Sequence, residues 1–148
     1  MNPLAHVIRE FGEKIGIPQL AFDDRGFCQL AFDDRTVVQI QANDEAGTCV
    51  LFSLVATLEH GDRLPVYESL LQANLFWSGT DGATLSVEPQ TGSVFLARQL
   101  PQQVMDLPTF ETLMESFVNI VEFWKDELAR LSQPSGDPLR LGAAGIPV

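Results

Sequence analysis

The chain has few of the residues that build stapled, metal-bound or phosphate-binding proteins. Its 148 residues include two cysteines, two histidines and one tyrosine. Cys28 and Cys49 sit inside apolar runs and lack the paired spacing of zinc or redox sites, so they read as reduced core thiols of a cytosolic protein. His6 and His60 share no motif with a third ligand, and no metal centre or other cofactor is expected. Lys and Arg total 9 against 20 Asp and Glu, a formal net charge of -11. That field repels phosphate backbones and anionic lipid, which argues against nucleic acid and membrane surfaces as partners. No apolar run approaches the roughly 20 residues of a membrane span. The opening Met1 to His6 has neither the basic start nor the long apolar stretch of a secretory signal, so a cytoplasmic location is expected.

Catalytic patterns are absent too. Gly79-Thr80-Asp81-Gly82 lacks the lysine of a phosphate loop and leads into a strand. The serines lie in no nucleophile elbow, and neither cysteine has a neighbouring base. Asp23-Asp24 and Asp33-Asp34 lack the alternating spacing of a calcium loop, and turn chemistry accounts for them. The reading is of a protein that is not an enzyme.

What the chain does have is apolar content, 45% of its residues. At this length a fold hides roughly 70% of the surface of its unfolded chain, so one compact domain is expected without cross-links. Asn2-Pro3 is a helix start, and Leu4, Val7, Ile8, Phe11 and Ile15 repeat at helical spacing before Gly16 and Pro18 stop them, giving a helix over 3–15. Gln19-Leu20-Ala21-Phe22-Asp23-Asp24-Arg25 then recurs as Gln29 to Arg35, each copy an apolar run closed by a polar turn. Strands are expected over 27–32, 36–42 and 48–58. Leu64, Tyr67, Leu70, Leu71 and Leu75 mark a second helix over 64–76. Two further strands alternate about Pro89-Gln90-Thr91-Gly92, with Leu85 and Val87 sharing a face with Val94 and Leu96. Phe110, Leu113, Met114, Phe117, Val121, Trp124, Leu128 and Leu131 form a long amphipathic helix over 108–131. Residues 133–148 show no periodicity and are expected to be a flexible tail behind a domain of residues 1–132. The order helix, three strands, helix, two strands, helix predicts an α+β fold with helices packed on an antiparallel sheet.

This arrangement leaves apolar surface over. Cys49 to Ala56 is apolar on both faces, although helices cover only one side of a sheet in a small monomer; an unusually buried centre, a dimer or a client must cover the other. Phe27 and Phe95 fall opposite the apolar faces of their own strands.

Leu70-Leu71-Gln72-Ala73-Asn74-Leu75-Phe76-Trp77 followed by Gly82 to Gly92 resembles the signature of class I type III secretion chaperones, the Tir chaperone family. Leu100-Pro101, Asp106 to Leu113 and Phe117-Val118 with Trp124 are similar to the closing strand and helix of that family. Ile15-Gly16-Ile17, Phe27 to Leu30 and Val37 to Ile40 are similar to its opening, so the resemblance spans residues 4–131. It implies a small acidic cytoplasmic homodimer that binds the non-globular N-terminal segment of a secreted effector, keeps it soluble and secretion-competent, and hydrolyses nothing. The repeated heptapeptide and the tail lie outside the pattern. An extended client adding a strand to a sheet edge would place side chains in grooves near the first helix. Phe11, Ile15, Phe27, Phe32, Val38 and Ile40 are the expected client contacts; Tyr67, Leu71, Leu75, Trp77 and Leu85 are the expected dimer interface. The alternative is an adaptor or immunity-type module using the same apolar surface on a folded protein.

Overall fold

The computed structural model describes residues 3–61, 63–103 and 105–132. The elements run α1 (Pro3–Ile15), β1 (Phe27–Phe32), β2 (Thr36–Asn43), β3 (Thr48–Thr57), α2 (Leu64–Asn74), a short 3-10 turn (Leu75–Trp77), β4 (Thr84–Glu88), β5 (Ser93–Pro101) and α3 (Leu107–Ser132). All five strands pair antiparallel in the order β1-β2-β3-β5-β4. This is the α+β arrangement of helices on one sheet that the sequence predicts. Asn2 and the tail 133–148 lie outside the described residues.

The two-residue period of the strands decides the core. Cys28, Leu30, Val38, Ile40, Cys49, Leu51, Val94, Leu96 and Leu85 all turn to one face and are buried. The ladders align them across the sheet: Cys28 opposite Ile40, Ile40 opposite Leu51, Leu85 opposite Leu96 and Val87 opposite Val94. Onto this face α3 lays Phe110, Met114, Phe117, Val121, Trp124 and Leu128, a stripe at three- and four-residue spacing. Trp124 also fixes the loop before β4, its Nε1 donating to the Gly79 carbonyl at 2.9 Å. α1 contributes Leu4, Val7, Ile8 and Phe11. The chain leaving α1 doubles back so closely that a Cβ on Gly12 would lie 2.6 Å from the Ile17 carbonyl oxygen and 2.6 Å from Leu20 Cβ.

The two heptapeptide copies fold differently. Gln29 to Phe32 belong to β1, and Asp33 and Asp34 turn the chain with φ of 54° and 60°, a left-handed conformation that Asp tolerates better than most residues. In the first copy no strand forms. There the Asp23 carboxylate accepts from the Arg25 and Phe27 amides at 2.8 and 2.9 Å, winding the chain into β1.

Helix α2 ends before the 64–76 expected from periodicity. Leu75 is extended, at φ -61° and ψ 111°, and Phe76 and Trp77 follow with positive φ of 51° and 56°. The last helical residue, Asn74, holds the end in place. Its Nδ2 donates to the Leu85 carbonyl and its Oδ1 accepts from the Leu85 amide, both at 2.9 Å. In the β4–β5 hairpin the Glu88 carboxylate accepts from the Gln90 and Thr91 amides and the Thr91 hydroxyl, and these bonds hold its carboxyl below the usual range.

Candidate functional site

The six residues expected to touch a client separate into four places. Phe11 and Phe32 meet where α1, α3 and the end of β1 converge, with ring centroids 6.5 Å apart. Phe110 supports Phe11 edge-on at 5.2 Å, a geometry aromatic pairs favour. Met114 and Val118 complete an apolar groove of about 280 Å³, and Glu111, Glu115 and Asn119 form its polar wall. Lys14 pairs with Glu111 at 2.7 Å across the α1–α3 junction. Ile15, at the end of α1, is exposed and does not line this groove.

Phe27 lies on the other side of the sheet. Opposite Gln41 in the ladder, it is half-buried on the face that carries no helix, together with Val50, Phe52, Leu54 and Phe95. Phe52 and Phe95 pack edge-on at 6.4 Å, while Leu54 remains 46% exposed. The third strand is therefore apolar on both faces, as its sequence predicts.

Val38 and Ile40 are corrected by the structure. Both have zero exposure and belong to the core between sheet and helices. The polar Gln39 between them and Gln41 after them take the outward positions, so strand alternation itself seals Val38 and Ile40 inside.

Three of the five expected dimer residues, Tyr67, Leu71 and Leu85, line one groove. Tyr67, Leu71, Leu85 and Val87, with Leu70, Asn74 and Ser86, line a groove of about 280 Å³ between α2 and β4. Leu71 is 70% exposed, Leu75 60% and Trp77 54%, and Phe76, which periodicity did not single out, reaches 84%. Leu85 is corrected in its role: buried, it floors the groove instead of standing on the surface. Four large apolar side chains within seven residues are an unusual thing for a chain to leave in water.

At the edge strand β1, Asp23 engages Phe27 twice: its carboxylate takes the Phe27 amide and its own amide donates to the Phe27 carbonyl at 2.8 Å. Beyond this pair, antiparallel alternation turns the backbone groups of Gln29 and Ala31 away from β2, beside the Phe32 groove.

Among the described residues no group of three His, Cys, Asp or Glu is placed to hold a metal. Burial pushes the thiols of Cys28 and Cys49 up to about 11, so both are protonated at neutral pH. No helix among the described residues is long and apolar enough to cross a membrane.

The family model for the Tir chaperone protein (CesT) family matches residues 6–125. The chain belongs to that family. By sequence alone no individual curated protein matches it. Solved structures of family-like fold match over nearly their whole length. The ExsC–ExsE complex is 25% identical with a TM-score of 0.72, covering 90% of this chain and 96% of the matched one. The HopA1–SchA chaperone–effector complex is 17% identical with a TM-score of 0.66, covering 84% and 95%. The Yersinia pestis type III secretion chaperone SycH, bound to a fragment of YscM2, is 18% identical with a TM-score of 0.62, covering 81% and 98%. At the two lower identities the likeness concerns the fold. Membership places the apolar groove, the open sheet face and the α2 surface on a chaperone scaffold.

Proposed function

We propose that this chain is a type III secretion chaperone that works in the cytoplasm as a homodimer, without catalysis. It binds the non-globular N-terminal segment of a secreted effector and keeps it soluble and secretion-competent. The observation that carries the reading is the juxtaposition of an unpaired edge, Gln29 to Ala31 of β1, with the Phe11–Phe32 groove. An extended segment laid along β1 gains main-chain hydrogen bonds from the edge, and its alternate side chains reach the groove. Phe11 and Phe32 supply the pocket, Ile15 extends the apolar surface at the end of α1, and Phe27 offers an anchor on the open face. Tyr67, Leu71, Leu75 and Trp77 join two copies, with Leu85 beneath them.

The test is titration calorimetry of the wild-type chain and Phe32→Glu against synthetic N-terminal segments of effectors encoded beside its gene, with NMR of the labelled segment. Binding of an unfolded segment, weakened at least tenfold by Phe32→Glu, is expected, because a carboxylate in the groove must shed water without a partner. Failure of every segment to bind, or binding only to a folded partner, would replace the chaperone by an adaptor.

A further inference from the structure

We propose that Asn74 biases which edge of the sheet accepts a strand: its side chain occupies one of the two outward-facing residues of β4, leaving β1 as the more open edge. The proposal rests on the strand-addition reading above, yet its test needs no client, so the two can fail separately.

The sheet has two edges, β1 and β4. In an antiparallel edge strand every second residue turns both its N–H and its C=O away from the sheet, and these groups are what an incoming strand pairs with. On β4 the second residue of the strand is such a position. Leu85 gives its amide to Asn74 Oδ1 and its carbonyl to Asn74 Nδ2, each at 2.9 Å. A primary amide carries one acceptor and a donor side by side, as a peptide does, so Asn74 occupies the place a neighbouring strand's residue would take. Leu85 is the second of the five residues Thr84–Glu88 and one of two that face outward, the other being Val87, so no strand can run the length of β4 without displacing Asn74. Asp23 treats Phe27 in the same way on β1, but Phe27 is the first residue of that strand. Gln29 and Ala31 stay available beyond it. Asn74 thus takes one of the two outward-facing residues of β4, and Asp23 one of the three of β1.

The blocked edge is also the one that most needs blocking, since exposed Leu71 lines the groove beside it. A bare edge beside an apolar patch is a site of unwanted pairing.

Two measurements test this. Hydrogen exchange of the wild-type chain should show the Leu85 amide exchanging at least tenfold more slowly than that of Val87, the next outward-facing residue. Light scattering over a concentration series should give Asn74→Ala a mass above that of wild type, rising with concentration. Adding Val87→Pro should return the mass to the wild-type value, because proline removes an outward donor from β4 while sparing the bonds to β5. A packing role alone would not produce that reversal. If Asn74→Ala lowers the melting temperature without raising the mass, or if Val87→Pro leaves the extra association in place, Asn74 merely fastens α2 and the proposal falls. Should Asn74→Ala not fold, the wild-type exchange rates decide: Leu85 exchanging as fast as Val87 overturns it.

Discussion

Leu71→Asp is expected to separate the protomers without unfolding them. In a single chain Leu71 is 70% exposed near the end of α2, so a carboxylate there costs the folded monomer little, within about 0.5 kcal/mol. Full burial of a leucine side chain stabilises by about 1.5–3 kcal/mol. With most of its surface still in water, Leu71 can contribute about 1–2 kcal/mol per copy when a partner covers it. A two-fold interface uses the same patch from both sides, so each substitution counts twice. The sum, about 2–4 kcal/mol, weakens the dimer by a factor of roughly 30 to 1,000, before the cost of desolvating two carboxylates is added. Sedimentation equilibrium of wild type and variant, with thermal melts of both, measures this. A wild-type chain that is monomeric at micromolar concentration, or a variant that dimerises as tightly, would refute the assignment of this surface.

Phe27→Asp should stay folded with a modest fall in melting temperature, because Phe27 stands on the helix-free face opposite Gln41; if Phe27 anchors a client, affinity in calorimetry should drop about thirtyfold. Unchanged affinity in the folded variant removes Phe27 from the site. Cys28 and Cys49 should resist a thiol reagent at neutral pH until the chain unfolds. Their folded pKa of about 11 lies above the ordinary thiol value of 9.0, so the stability they lend is complete below about pH 9 and is lost as pH rises towards 11, which denaturant melts at alkaline pH would show. Truncation after Ser132 should leave the melting temperature nearly unchanged, since the last buried core residue of α3 is Leu128; a drop of many degrees would place a docked segment in the tail.

Local pattern carried the secondary structure well, because helix and strand periods differ and the stops are chemical: Gly16 and Pro18 after α1, Asp33-Asp34 between β1 and β2, Thr91-Gly92 in the last hairpin. The off-face positions of Phe27 and Phe95 were legible for the same reason. Sheet order was not. β3 pairs with β5 across α2 and β4, and only that long-range pairing makes β1 and β4 the edges. The end of α2 also escaped periodicity, since apolar spacing continues through Leu75 while the chain is bent away by the bonds from Asn74 to Leu85. Val38 and Ile40 failed as site residues although Gln39 and Gln41 already marked them as inward; the apolar residues of a strand are more often floor than surface.

The size of the groove bears on why a chaperone of this kind should be a dimer. About 280 Å³ between α1, α3 and β1 accommodates one or two client side chains, worth about 1.5–3 kcal/mol each. Ordering a non-globular segment costs about 2–5 kcal/mol, and association costs more. A single groove and a short edge therefore hold a client weakly. Two copies related by a two-fold axis present the groove, the β1 edge and the open face twice to one chain, so once the first is filled the second binds at an effective concentration set by the intervening client residues. On this reading the client senses the dimer contact even where it never touches it. Leu71→Asp, remote from the α1–β1 groove in sequence and surface, should weaken a client that spans both protomers by at least the hundredfold that avidity typically adds, while a short segment filling one groove should bind it as it binds wild type. Equal losses for the long and the short segment would show that Leu71 touches the client directly, and equal retention of both would show that one protomer suffices.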